Sequence, residues 1–520
     1  AQVQGTGLLK SSAMELKSQQ PTKHINISVH PLTDQSDTAK IWLGKLKKQV
    51  KNSGTHTAKK AQWLAHKKWW HDFWQRSWIN ITAKPGEDAY VVARGYALQN
   101  WVTACGGRGS MPIKFNGSIF TVNTKERGRL HGPDYRAWGS AYWWQNTRLP
   151  YWPMLASGHY EMLQPLFKMY SDALPLAKHR IKKYYNFEGA YFPETMFPWG
   201  TYRNEDYGWN PKKGRHPDRI RGHHTQYYWQ SGIELTAMML EYYDHTGDRN
   251  FLNKKLLPMA KEIVAFYDQR YKRNAAGKLV IYPANALEDV FHCTNPTPEI
   301  AGLKYVLPQL IKLCEDKNLR EKYKKLLTEL PDIESAVSES GQKYLLPARK
   351  DVKRRGNCEK PECYAIFPYR LYGVGLPDLA LAKETFKLSP REMEGQDRSN
   401  GWAQDPIFAA CVGNVDEVKK LMIQRMKRYH KESRFPGFWG PNFNWVPDQD
   451  HGGVNCTALQ KMLLQTEPYS NKIHLLAAWP KDWDCSFKLH APYKTTVQGE
   501  VKNGKLINLI VSPASRKKDV

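Results

Sequence analysis

Between residues 88 and 466 one pattern recurs: an amphipathic helical stretch, then a long loop rich in Gly, Pro and aromatic residues. Apolar residues return at i, i+3, i+4 and i+7 in "AYVVARGYALQNWVTAC", "GHYEMLQPLFKMYSDALPLAKHRIKKYY", "QSGIELTAMMLEYYDHTG", "NFLNKKLLPMAKEIVAFYDQRY" and "NVDEVKKLMIQRMKRYH". No strand-like alternation lies between them. That disfavours a βαβ sheet and leaves the helices to bury their apolar faces on one another. Paired helices with long loops at one end predict a mainly α fold, a toroid of helical hairpins whose loops build a cleft.

The two ends of the chain read differently. From about 472 the period shortens in "IHLLAAW", "CSFKLHA", "TTVQGEV" and "LINLIVS", with a turn signal at Asn503-Gly504, predicting a small C-terminal β-sandwich. Residues 1–56 are polar apart from "HINISVHPL", where Ile25, Ile27 and Val29 share one face of a strand. The stretch "AKKAQWLAHKKWWHDFWQRSW" reads as a Trp-rich linker helix. The expected division is therefore 1–56, a barrel with its linker helix over 57–469, and a strand module over 470–520.

Lys and Arg number 77 against 50 Asp and Glu, a formal charge of +27, and the chain carries 19 Trp and 28 Tyr. Rings with a polar handle suit half-wet binding surfaces, where they stack on nucleobases or on the apolar faces of sugars. The charge fits an anionic polymer of either kind. No RRM, KH, zinc-finger or helix-turn-helix signature accompanies it, so nucleic acid is not the expected partner. No run of eighteen apolar residues exists to span a membrane. The eight cysteines show neither a CxxC pair nor zinc spacing, so no metal and no cofactor are expected. The N-terminal "AQVQGTGLLK" has no signal-peptide pattern; a secreted or periplasmic location follows only from the expected substrate.

Four loops concentrate aromatics, carboxylates and amides. "GPDYRAWGSAYWWQNTRLPYWPM" brings together Trp143, Trp144, Asn146 and Arg148, and "GAYFPETMFPWGTYRNEDYGWN" offers Glu194 and Trp199. "LVIYPANALEDVFHCTNPTPE" carries Glu288 and Asp289; "FWGPNFNWVPDQDHGGVNCTALQKMLLQ" carries Trp439, Asp448, Asp450 and His451. Trp138, Trp229 and Trp402 complete a set of indoles from which several should line one concavity. Cleaving a glycosidic bond takes two carboxyl groups in different environments, one kept protonated and one ionised. Glu288 has apolar Leu287 and Val290 nearby in sequence, which would raise its pKa inside a cleft. Asp450 stands at a helix start, where an Asp also serves as an N-cap. A polysaccharide lyase acting on uronic-acid chains would instead want a Tyr or His base with cationic help, for which "RIRGHHTQYYW" offers Arg221, His223, His224 and Tyr228, and a non-catalytic glycan-binding protein would keep the cleft without the chemistry.

"HKKWWHDFWQRSWINI", "RLPYWPML", "YYDHTGDRNFL", "LLPMAKEIVAFY", "DQDHGGVNCTALQKMLLQ" and "IHLLAAWPKDW" follow one another in the order of the landmarks of glycoside hydrolase family 95. The chain resembles this α-L-fucosidase and α-L-galactosidase family of six-hairpin glycosidases over roughly residues 60–500. The resemblance implies an (α/α)6 catalytic barrel, a C-terminal β-domain and an N-terminal β-domain that is here largely absent. It also implies inversion, with Glu288 as general acid and Asp450 as general base. The family's base is helped by two asparagines of an Asn-x-Asn motif. Asn146 matches the second, and Trp144 stands at the first. Around "ECYAIFPYRLYGVGLP", where the family shows a His-rich segment lining the sugar pocket, this chain has Glu362, Tyr364 and Tyr369.

Overall fold

The computed structural model describes all residues except 6, 13–14, 35, 54–55, 117–124, 127–128, 131–138, 140, 203–221, 223, 350–353, 355–356, 391–400 and 429–448. The chain forms two compact units, Ala1–Gln75 and Arg76–Val520. In the first, β1 (Gln2–Gly5) pairs antiparallel with β2 (Ile27–His30), in register Val3 with Val29. Ile27 and Val29 do share a face of β2, and that face is exposed. Helix α1 (Ala39–Asn52) begins at Thr38, whose hydroxyl oxygen caps the Ile41 N–H. The Trp-rich stretch is helical, α2 (His56–Arg76), and its indoles stack along it: Trp70 lies 6.0 Å from Trp74 with ring planes 22° apart.

The second unit opens with β3 (Trp78–Ile81) and α3 (Asp88–Gly106). Then come two short helices, α4 (Trp144–Thr147) and α5 (Trp152–Ala156), and the long α6 (Tyr160–Tyr185). Helices α7 (Gln230–Thr246) and α8 (Leu257–Arg270) follow. A hairpin of β4 (Ala284–Ala286) and β5 (Val290–Cys293) leads into α9 (Thr297–Leu313) and α10 (Lys317–Glu329). The ring is completed by α11 (Leu379–Leu388), α12 (Asp405–Cys411), α13 (Val415–Lys427) and α14 (Gln449–Leu463).

Neighbouring helices pack pairwise around a toroid: α5 on α6 and α7, α7 on α8 and α9, α12 on α13 and α14. The circle closes where α14 returns to α3 and α5. Helix α7 is an inner helix. Both its faces meet neighbours, so Ile233, Leu235, Met238, Met239 and Leu240 are all fully buried, each contributing roughly 1.5–3 kcal/mol. Gly247 ends it in the left-handed region at φ 62°, donating its N–H to the Tyr243 carbonyl, a conformation glycine adopts without strain. Every strand pair among the described residues is antiparallel, which agrees with the absence of a βαβ pattern in the sequence. Among the described residues, no helix is long and apolar enough to cross a membrane.

The C-terminal strand module is present: β6 (Cys485–Ala491), β7 (Thr495–Lys502) and β8 (Lys505–Ser512). It is one four-stranded sheet in the order β8-β7-β6-β3, and α3 and α5 cover it where a sandwich would have a second sheet. Cys485, Phe487, Leu489 and Ala491 alternate inward along β6. The Asn503-Gly504 turn has both residues at positive φ, 50° and 71°, as a type I′ hairpin requires.

Candidate active site

The site is organised by α4, a single helical turn. Its backbone is fixed first: the Trp144 N–H donates to the Glu194 carbonyl at 2.7 Å, and Trp143 pairs in register with Thr195. Successive side chains on a turn point about 100° apart, so four residues reach four directions. Trp144 donates from Nε1 to Glu234 at 3.1 Å, and Gln145 donates from Nε2 to Glu359 at 3.0 Å. Asn146 donates from Nδ2 to Asp450 Oδ2 at 2.5 Å. Arg148, just past the turn, pairs with Glu234 at 2.8 Å and Glu359 at 3.2 Å.

Asp450 lies in the first turn of α14 and is fully buried. Its other oxygen, Oδ1, accepts the His451 N–H at 2.8 Å, so both oxygens are held. Two glycines let this helix start lie close to the loop after α4. A Cβ on Gly453 would stand 2.5 Å from the Leu149 carbonyl oxygen, and one on Gly452 would collide with the Gln99 side chain. Gln99 Nε2 in turn donates to Gln449 at 3.0 Å.

Glu288 sits in the turn between β4 and β5, directly after Leu287, whose φ of 57° is strained for a non-glycine residue. It is partly exposed, and its Oε2 accepts from Asn357 at 3.2 Å. Its Oε1 has no hydrogen-bond partner among the described residues. Burial, reinforced by Glu359, pushes its carboxyl up to about 8. Glu359 is buried and accepts from Gln145, Arg148 and, at 3.0 Å, the Tyr364 hydroxyl. Burial raises it too, against the opposing pull of Arg148. A third carboxyl, Glu194, accepts the Gln145 N–H at 3.1 Å and is driven far above the usual range by burial and then by Glu288. The neighbouring Cys358 thiol is pushed up by burial and by Glu359, Asp405 and Asp450, which places this segment beside the α14 start as well.

The described structure thus gathers Asn146, Arg148, Glu194, Glu288 and Asp450 around one turn. Trp143 and Trp402 are half-buried. Trp199 is exposed, its ring flat against Phe197 at 5.1 Å, and exposed His224 meets Phe291 edge-on.

Several sequence expectations need correcting. Trp144 and Trp229 are core side chains with no face to offer a sugar; Trp229 packs on Tyr191 at 4.3 Å and under Arg270 at 5.2 Å. Arg148 is fully buried and spent on two glutamates. Asp289 and Glu362 pair with Arg354 at 2.7 and 3.0 Å, and His451 is buried against the Arg425 carbonyl, its imidazole held neutral by burial. Tyr228, the candidate elimination base, is fully buried with its hydroxyl pushed well up by burial, the opposite of what a base needs. Arg221, His223, Trp138, Trp439 and Asp448 lie outside the described residues.

Sequence reasoning missed Glu359, Gln145, Glu234, Asn357 and the buried Lys360–Asp405 pair, joined at 2.5 Å. One signal was present for Glu359: it stands in "NCEKPEC", a polar Pro-containing loop of the same kind as the four singled out. Among the described residues, no group of three or more His, Cys, Asp or Glu side chains could hold a metal ion.

Residues 128–458 match the Glycosyl hydrolase family 95 catalytic domain, and residues 8–79 match a domain of unknown function, DUF5703. No curated protein matches the chain. Among solved structures, "Putative kojibiose phosphorylase from human microbiome" is similar at a TM-score of 0.63 and 14% identity, over 96% of this chain and 69% of that one. That likeness shows the fold. A glycosidase structure covers 73% of this chain and 99% of its own at 8% identity and a TM-score of 0.47. A Streptococcus pneumoniae structure from a family of metal-independent alpha mannosidases covers 76% and 97% at 12% identity and a TM-score of 0.42.

Proposed function

The chain belongs to glycosyl hydrolase family 95, and from that premise we propose that this glycoside hydrolase works with inversion, through Glu288 as general acid and Asp450 as general base. The observation that carries the reading is the Asn146–Asp450 hydrogen bond at 2.5 Å: an amide turned onto a buried carboxylate fixes its orientation for drawing a proton from water. Glu288 has the complementary property. With its carboxyl pushed up to about 8, it stays protonated at neutral pH and can deliver that proton to the leaving oxygen. Water then attacks the anomeric carbon from the opposite side as the C–O bond breaks. Its proton passes to Asp450, and the Glu288 proton leaves with the aglycone.

The substrate is an oligosaccharide or polysaccharide, and the +27 charge favours an anionic chain around the scissile unit. Such polymers are met outside the cytoplasm, so secretion or a periplasmic location accompanies this reading. The raised Tyr228 hydroxyl speaks against β-elimination.

A panel of α-linked fucosides, galactosides and uronic-acid oligosaccharides, followed by NMR of the freshly released anomer, tests the proposal. Inversion is expected, with no ultraviolet-absorbing unsaturated product. Glu288→Gln should lower kcat on poor leaving groups by about 10²–10⁴-fold while sparing activated aryl glycosides. Asp450→Asn should abolish turnover of both, and full activity in that variant removes the base assignment.

A further inference from the structure

The acid–base pair alone leaves unexplained why a further glutamate is buried between its two halves. We infer that Glu359 is the positioning residue of the site, whose carboxylate ties the Glu288 loop to the helical turn that carries Asn146. The inference rests on the acid and base roles proposed for Glu288 and Asp450.

Glu359 Oε2 accepts from Gln145 Nε2 at 3.0 Å and faces the Glu288 backbone N–H at 3.5 Å. Gln145 and Asn146 are consecutive on α4, and Asn146 holds Asp450. A shift of Glu359 therefore moves both sides of the reaction at once. The same segment grips the acid a second way: Asn357 donates to Glu288 Oε2 at 3.2 Å while its own Oδ1 accepts the Glu359 N–H at 3.2 Å. Glu359 is not simply the counter-ion of a buried arginine, because Arg148 already pairs with Glu234 at 2.8 Å.

The charge of Glu359 matters as much as its reach. Glu359 presses on the Glu288 site with like charge, and one amide, Asn357, relieves it; Glu288 in its turn raises Glu194. Around Glu359 stand Arg148 and the Tyr364 hydroxyl, which favour its ionised form, and Glu234, which opposes it. Tyr228 and Cys358 also face it, both held neutral by burial. Ionised, it keeps the proton on Glu288 at a pH where a carboxyl would ordinarily have lost it.

The test is the pH profile of kcat/KM for Glu359→Gln, measured with a 4-nitrophenyl α-glycoside and an unactivated disaccharide that the parent enzyme hydrolyses. The alkaline limb, near 8 in the parent, should move down by about one pH unit or more. Turnover of the disaccharide at pH 8 should fall about fivefold as the protonated fraction of the acid drops from about half to about a tenth, and that of the activated substrate less than about twofold. An unmoved limb in the folded variant overturns the inference. Should Glu359→Gln fail to fold, Glu359→Asp carries the test, since it keeps the charge and shortens the reach. Its limb should stay in place while both substrates slow about tenfold, and parent-like rates overturn the inference. Glu288→Gln separates the two levels. If that variant keeps its activity on the disaccharide, the acid assignment itself fails. If it loses it while Glu359→Gln leaves the limb unmoved, only the role of Glu359 falls.

Discussion

In the mechanism proposed above, Asn146 decides more of the chemistry than its size suggests. A buried carboxylate with free rotamers would spend part of its time turned from the water it must deprotonate. The 2.5 Å amide contact and the His451 N–H remove that freedom. Asn146→Ala should therefore lower kcat about 10²-fold with little change in KM, a split that steady-state kinetics reads directly. Trp144, one helical step pair away, works in the opposite sense. At the first asparagine position it has become a core donor to Glu234, so Trp144→Phe should cost only about 0.5–1.5 kcal/mol in urea unfolding, because Glu234 keeps Trp152, Gln230 and Arg148 as partners. Glu288, Asp450 and Asn146 could be singled out in the sequence because each sits in a local string with a chemical meaning, and the structure brings Asn146 and Asp450 into contact. Glu359 was not, because its partners Gln145 and Arg148 lie more than two hundred positions upstream. Nor does any local pattern say whether an indole points into a cleft or a core.

At the scale of elements, the one-turn α4 and the start of α14 are fitted to each other by what they lack. Gly453→Ala would set a methyl group 2.5 Å from the Leu149 carbonyl, backbone that cannot swing aside, so the variant should lose about 1–3 kcal/mol and turn over slowly as Asp450 is displaced. The three raised carboxyls make a prediction about pH. Glu194, Glu288 and Glu359 hold their protons in the folded site to higher pH than in the unfolded chain. The contribution of Glu288 to stability is full below the ordinary carboxylate range and is lost as pH rises through about 8. The urea midpoint should fall between pH 5 and pH 8, and Glu288→Gln should flatten that slope. The helices themselves were readable from their 3.6-residue period. Their pairing order was less so, because every inner helix presents apolar residues on both faces.

At the largest scale, the second unit is held in its circle partly by the four-stranded sheet. Phe487 is fully buried, with Ile79 on one side and Gly499 on the other, where a Cβ would run into its ring at 2.6 Å. Phe487→Ala should cost about 3–5 kcal/mol, read as a lowered Tm. The strand module was visible in the sequence from its short period and its Asn-Gly turn. The recruitment of β3 was not, since "WINI" lies at the far end of the chain from its partners.

That recruitment sets an order of events during synthesis. Residues Trp78–Ile81 leave the ribosome about 400 residues before the strand they pair with, Cys485–Lys488. Throughout that interval the nascent chain carries an unmatched strand edge, with Ile79 and Ile81 seeking cover. The helical ring can begin to form as it is made, but β3 joins its sheet only once β6 has been made. A stop placed before Cys485 should therefore yield not a slightly shortened enzyme but chains that chaperones retain and that aggregate in their absence.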